Sequence, residues 1–124
     1  MSSTIPQRQI IGKLDEIFPK QREAIRSTCA QLKARLDAEE WSAGYVLEQA
    51  KASATAWSSW AQRIADNQTE ILAAIAATGA DQQDFVDRFS EITTAANTIA
   101  AATVANIDTR LAAIIDALPQ ETIL

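Results

Sequence analysis

The fold is decided by residues 20–78, which read KQREAIRSTCAQLKARLDAEEWSAGYVLEQAKASATAWSSWAQRIADNQTEILAAIAAT. Apolar residues form two rows here, and within each row the positions are seven residues apart. The spacing does not change along the segment, and no proline interrupts it. One row is weakened by Glu39, Ser53 and Asn67, and the other is unbroken. The rows hold Ile25, Leu32, Val46, Trp60 and Ala74, and Cys29, Leu36, Ala43, Ala50, Trp57, Ile64 and Ile71. Such spacing places a narrow apolar seam along a long helix and predicts helices that pack lengthwise on helices.

The composition supports the same fold class. The chain has 124 residues, is rich in alanine, and contains only three glycines and three prolines. This mixture favours helix over strand, and the length suits one domain. We therefore predict an all-α protein, either an elongated helical hairpin or a three- to four-helix bundle, with long coiled-coil-like helices.

Prolines, glycines and caps divide the chain into three predicted segments. Residues 1–18 form a short helix that Thr4 caps, and Pro19 ends or kinks it because the residue before a proline avoids helical geometry. Residues 19–118 form the long-helix bundle or hairpin, with a turn at 79–81. Asp81 is the expected N-cap after that turn. Residues 119–124 are a short C-terminal tail.

The segment 41–44, Trp-Ser-Ala-Gly, leaves two alternatives open. Ser42 could cap a new helix, which would make 41–44 a turn. The apolar rows nevertheless keep their phase across it, which favours one continuous helix of nearly sixty residues, about 90 Å long. A hairpin loop has no need to preserve helical register, so the preserved phase is the argument for a continuous or merely bent helix. Both the turn and the continuous helix remain open.

We predict one last helix from Gln82 to Leu118. Its apolar row advances by nearly 3.7 residues a step and predicts a straight or weakly right-handed packing path. Between residues 92 and 107 this helix carries no charge, so we expect protein contact on more than one side of it. The alternative is that its alanines and threonines form a weakly polar face toward solvent. The row holds Phe85, Phe89, Ile92, Ala96, Ala100, Val104, Ile107, Leu111, Ile114 and Leu118.

The residue types argue against an enzyme. The chain has no histidine and one cysteine, Cys29, which removes the usual general base and most zinc and iron–sulfur sites. Adjacent carboxylates occur at 15–16, at 39–40 and in the run 81–91, where each suits a helix start or a solvated stretch. No glycine-rich nucleotide loop is present. We expect no catalytic residues, no cofactor and no metal.

The charge pattern argues against nucleic acid as a partner. Residues 1–40 are nearly neutral and the rest is acidic, for a net charge of −5. Phosphate binding needs a basic patch, and the lysines and arginines of 13–35 alternate with acids. No stretch has the length of a signal peptide core or of a transmembrane helix. We expect a protein that is made in a cytoplasm and that forms a homo-oligomer or binds other helical subunits. One form of this expectation places it in a virus particle.

The expected interface lies on the apolar rows, where tryptophans can act as core residues or as contact hot spots. Cys29 is expected to pack as a small apolar residue. The candidate interface residues are Trp41, Trp57, Trp60, Ile64, Ile71, Phe85, Phe89, Ile92, Ile99, Ile107 and Leu111.

Three resemblances bear on function. The 41–44 segment resembles the Trp-x-Gly turn of small type VII export hairpins, which would imply a secreted heterodimer, although the glycine comes one residue late. The alanine-rich composition is similar to that of phasins, which coat polyester granules. The segments 71–75 and 107–118 are similar in texture to helices of phage structural proteins. We expect a self-associating structural or assembly protein, with a monomeric adaptor, inhibitor or chaperone as the alternative and a granule coat as the third.

Overall fold

The computed structural model describes residues 7–119, with side chains from residue 14 onward except that of residue 15. Within this range the chain forms helices and no strand, so the predicted all-α class is confirmed. The predicted Thr4 cap and most of the 119–124 tail lie outside the described residues. The helices are α1 (Gln7–Asp37), α2 (Ala43–Asp66), α3 (Gln68–Ala77), α4 (Gln82–Ala100) and α5 (Ile107–Ala117).

Helix α1 contacts all four other helices, as α2 and α4 also do. It presents one apolar face to them, whereas α2 packs mainly on α1 and α4. Lys33 near the end of α1 pairs with Asp108 at the start of α5, with 2.7 Å between Nζ and Oδ1. The connections 38–42 and 101–106 therefore lie at one end of the bundle. The buried face of α1 consists of Leu14, Ile17, Phe18, Ile25, Cys29 and Leu32.

The predicted helix end at residue 18 is wrong, because α1 continues through Pro19. A proline inside a helix removes one backbone hydrogen bond and costs about 3 kcal/mol. Pro19 is exposed, so water can reach the backbone that loses its partner. Apolar side chains before and after it, including Phe18 and Ile25, are buried on the same side of α1. Their shared burial outweighs the local preference for a break.

The chain turns between α1 and α2, so the continuous helix across 41–44 is wrong. Glu39 has a φ of 59°, the left-handed conformation that commonly ends helices. The Glu39 N–H donates to the Leu36 carbonyl and the Glu40 N–H to the Arg35 carbonyl, each at 3.0 Å, the pattern of a Schellman motif. Helix α2 then begins after Ser42, whose Oγ accepts from the Tyr45 N–H at 3.2 Å.

Helices α2 and α3 are separated by Asn67 alone. Its Nδ2 donates to the Arg63 carbonyl at 2.8 Å, which satisfies the amide of a side chain that is only 7% exposed. Gly79, with a φ of 83°, lies in the turn after α3, where the sequence predicts one. The Asp81 carboxylate accepts from the Gln83 N–H at 2.9 Å, so the predicted N-cap is confirmed.

The predicted last helix is also wrong in extent, because 101–106 separates α4 from α5. The Asn106 Oδ1 accepts from the Thr103 N–H at 2.7 Å, a local bond that competes with helix. Ala102 is buried in place of Ala100 and Val104, which are exposed although the predicted apolar row includes them. The uncharged stretch is therefore covered on one side within this chain, and the other side faces solvent.

Candidate protein interface

Most predicted interface residues lie in the chain's own core. Eight of the eleven are at most 5% exposed, so in this structure of one chain they offer almost no surface to a partner. The physical reason is that antiparallel helices of one chain cover both apolar rows. These eight are Trp57, Ile64, Ile71, Phe85, Ile92, Ile99, Ile107 and Leu111.

Trp57 is the centre of an aromatic cluster in that core. Its ring centroid lies 6.2 Å from that of Phe18 and 5.7 Å from that of Phe89. Phe85 lies 5.6 Å from Phe18 by the same measure. The Trp57 indole N–H donates to the Thr93 hydroxyl at 3.1 Å, which satisfies the polar atom of a ring that is otherwise fully buried. The cluster joins α1, α2 and α4 and accounts for Trp57 as a packing residue.

Trp41 differs from the other aromatic residues because it lies outside the helices, at the α1–α2 turn. It is 37% exposed, and Tyr45 in the first turn of α2 is 44% exposed. Their ring centroids are 5.0 Å apart at an interplanar angle of 81°, an edge-to-face contact. The Arg35 guanidinium lies over the Trp41 ring, 5.2 Å from its centroid, and also pairs with Glu40. We call Arg35, Glu40, Trp41 and Tyr45 the end patch.

A surface cavity of about 220 Å³ adjoins the end patch, between α1 and α2. Leu32, which is buried, lines its apolar part. Thr28, Gln31 and Gln49 add hydroxyl and amide groups that can accept hydrogen bonds. The cavity thus combines an apolar floor with polar acceptors, as an indole or a phenol requires.

Val104 is the third large apolar side chain that the structure exposes, at 56%. It lies on the α4–α5 connection, at the same end of the bundle as the end patch. The interface residues predicted from the sequence include Trp41 and do not include Tyr45. Ser42 is the sequence signal for the positions of Trp41 and Tyr45. As the N-cap of α2 it places residue 41 before the helix and residue 45 in its first turn.

Trp60 and Phe89, the other predicted interface residues, are partly buried against the core. The Arg63 guanidinium covers part of the Trp60 ring, 5.8 Å from its centroid. A charged side chain over an aromatic face is an ordinary way to shield it from water. An arginine covers the Trp41 ring in the same way, and the two residues differ in that Trp60 is half-buried whereas Trp41 is exposed.

Two further cavities lie away from the end patch. One, of about 210 Å³, has Phe18 and Phe85 among its walls and acidic side chains at Asp81 and Asp84. The other, of about 230 Å³, runs between α2 and α4 and is lined mainly by small side chains. In the first cavity the aspartates take part in capping and in the ion pair with Arg88. In the second the Thr55 and Ser58 hydroxyls donate to the Lys51 and Ala54 carbonyls.

The titratable side chains are buried or paired in several places. Burial raises the pKa of the Cys29 thiol to about 11, which disfavours the reactive thiolate. Glu91 and Glu40 are paired with Arg22 and Arg35. Among the side chains that the structure describes, those of residues 14 and 16–119, no three of His, Cys, Asp or Glu are grouped so that they could hold a metal ion.

No helix in the described part of the chain combines the length and apolar character needed to cross a bilayer. Comparison with protein-family models, curated proteins and solved structures found no match to this chain.

Proposed function

We propose that the chain is a non-enzymatic structural or assembly subunit that binds other protein subunits through the end patch. The observation that carries this proposal is the joint exposure of Trp41 and Tyr45 in a chain whose other aromatic residues pack into or against the core. Exposed, clustered aromatic residues are typical of contact hot spots.

The end patch is suited to binding because its geometry is already set in the free chain. Trp41 is held by the edge-to-face contact with Tyr45 and by the Arg35 guanidinium. An ordered aromatic side chain loses little conformational entropy on binding, so more of its contact energy contributes to affinity. The surrounding charged and amide side chains form the polar rim that interfaces usually have.

The burial of both apolar rows within one chain supports the alternative as well, a monomeric adaptor, inhibitor or chaperone. Whether the chain is an assembly subunit or a monomeric binder, we expect its partner to contact the end patch and not the apolar rows. One form of the proposal is a subunit of a large particle such as a phage virion. It rests on the resemblance of segments 71–75 and 107–118 to helices of phage structural proteins.

A site-specific photo-crosslink tests the proposed function. Tyr45→p-benzoylphenylalanine places the crosslinker on the end patch, and Ser59→p-benzoylphenylalanine places it on an exposed position of the same helix as the control. We expect irradiation of cells that produce the protein to give protein adducts from position 45 and not from position 59. Equal labelling, or no adduct at either position, would refute the proposal.

A further inference from the structure

We propose that the occupant of the end patch is a second copy of this chain, bound through a two-fold contact in which each copy uses the same residues. This inference rests on the proposed function and specifies its partner. A two-fold contact requires a surface that is complementary to itself, in shape and in charge.

The shape of the end patch meets that requirement. It presents an exposed aromatic pair beside a cavity of about 220 Å³ that Trp41 itself helps to line, so one surface carries both an aromatic group and a cavity that could take one. The cavity has the chemistry that an aromatic ring with a polar atom needs. Leu32 would contact the ring, while the side chains of Gln31 and Gln49 could accept its N–H or O–H.

The charges of the end patch are also self-complementary. Arg35 and Glu40 lie side by side, and each side chain is about half exposed. A two-fold axis between two copies would place Arg35 near the partner's Glu40 and Glu40 near the partner's Arg35. The contact therefore brings opposite charges together, even though each chain has a net charge of −5.

The expected affinity is low because the end patch offers only two exposed aromatic residues as anchors. Two exposed aromatic residues and their neighbours cover less than the roughly 800 Å² per partner of a standard interface. We expect a reversible dimer with a dissociation constant on the order of 100 µM, which several copies in an assembly would reinforce.

Charge reversal followed by mixing tests the two-fold contact. In Arg35→Glu the two copies would place acid against acid, and in Glu40→Arg base against base. Sedimentation velocity of the full chain, from about 5 to 500 µM, should show dimer for the natural chain and at least about tenfold weaker association for each variant. An equal mixture of the two variants should recover the dimer, because every contact then joins opposite charges.

Two controls separate this result from a change in net charge or folding. Lys20→Glu and Asp116→Lys make the same charge changes at exposed positions away from the end patch and should leave association unchanged. Circular dichroism should show the same helix content for all variants, since exposed ion pairs contribute little to stability.

The sedimentation and crosslinking experiments together distinguish failure of the two-fold contact from failure of the proposed function. A monomer at every concentration, or a mixture that fails to recover the dimer, would overturn the two-fold contact. If position 45 still crosslinks to a different protein, the proposed function stands without self-association. A monomer that also gives no position-specific crosslink would refute both.

Discussion

The substitution Glu39→Gly tests the turn between α1 and α2, because the turn and a continuous helix predict opposite changes in the free energy of unfolding. Glu39 has a φ of 59°, where an L-residue costs about 1–2 kcal/mol relative to right-handed helix. Glycine adopts this conformation without that cost but loses about 0.5–1 kcal/mol through the greater freedom of its unfolded chain. The net expectation is a gain in the free energy of unfolding of about 0.5–1 kcal/mol.

The competing hypothesis of a continuous helix predicts the opposite sign, since glycine in a helix interior is destabilising by about 1 kcal/mol. Glu39→Ala is the matched control because it removes the same carboxylate but keeps an L-residue. Urea unfolding followed by circular dichroism at 222 nm should therefore rank Glu39→Gly above Glu39→Ala by about 1 kcal/mol. A lower stability for the glycine variant than for the alanine variant would refute the left-handed turn.

Four further predictions concern the helices and the core. Gly44→Ala should stabilise by about 0.5–1 kcal/mol in thermal unfolding, because Gly44 lies in the first turn of α2 and its added Cβ meets no atom within 4 Å. Gly79→Ala should destabilise by about 1–2 kcal/mol, because the φ of Gly79 is 83°. Trp57→Phe should cost about 1–3 kcal/mol in urea unfolding, because the Thr93 hydroxyl loses its donor and the smaller ring leaves a void. Burial raises the pKa of the Cys29 thiol from 9.0 to about 11, so the folded chain keeps a proton that the unfolded chain releases. Stability from this group is complete below pH 9 and should fall as pH rises toward 11, by up to about 1.4 kcal/mol per pH unit.

Each of these predictions has its own control. Equal effects of alanine at positions 44 and 79 would contradict the difference in backbone conformation. Thr93→Val, which removes the acceptor, should make Trp57→Phe less costly; additive losses would show that the hydrogen bond contributes nothing. Cys29→Ala should remove the alkaline decline that is specific to the thiol, and an unchanged slope would place its origin elsewhere.

Local features were predictable because they depend on neighbours in the sequence. The all-α class follows from composition and from apolar rows, which report a helix face wherever the helix packs. The Asp81 cap follows from a short side chain that can reach the next backbone N–H groups. At Pro19 local preference does not decide the structure. The proline costs the helix a backbone hydrogen bond, but burial of apolar side chains before and after it outweighs that cost, so α1 continues.

The sequence by itself could not separate core from interface, because Trp41 and Trp57 have the same apolar character. It determined that long stretches of this chain are helical and that each has one apolar side. Only the tertiary structure decided that the apolar rows are covered within one chain and that Trp41 and Tyr45 stay at the surface. The physical reason is that helix periodicity sets which residues share a face, whereas the turns at 38–42 and 101–106 set which faces meet.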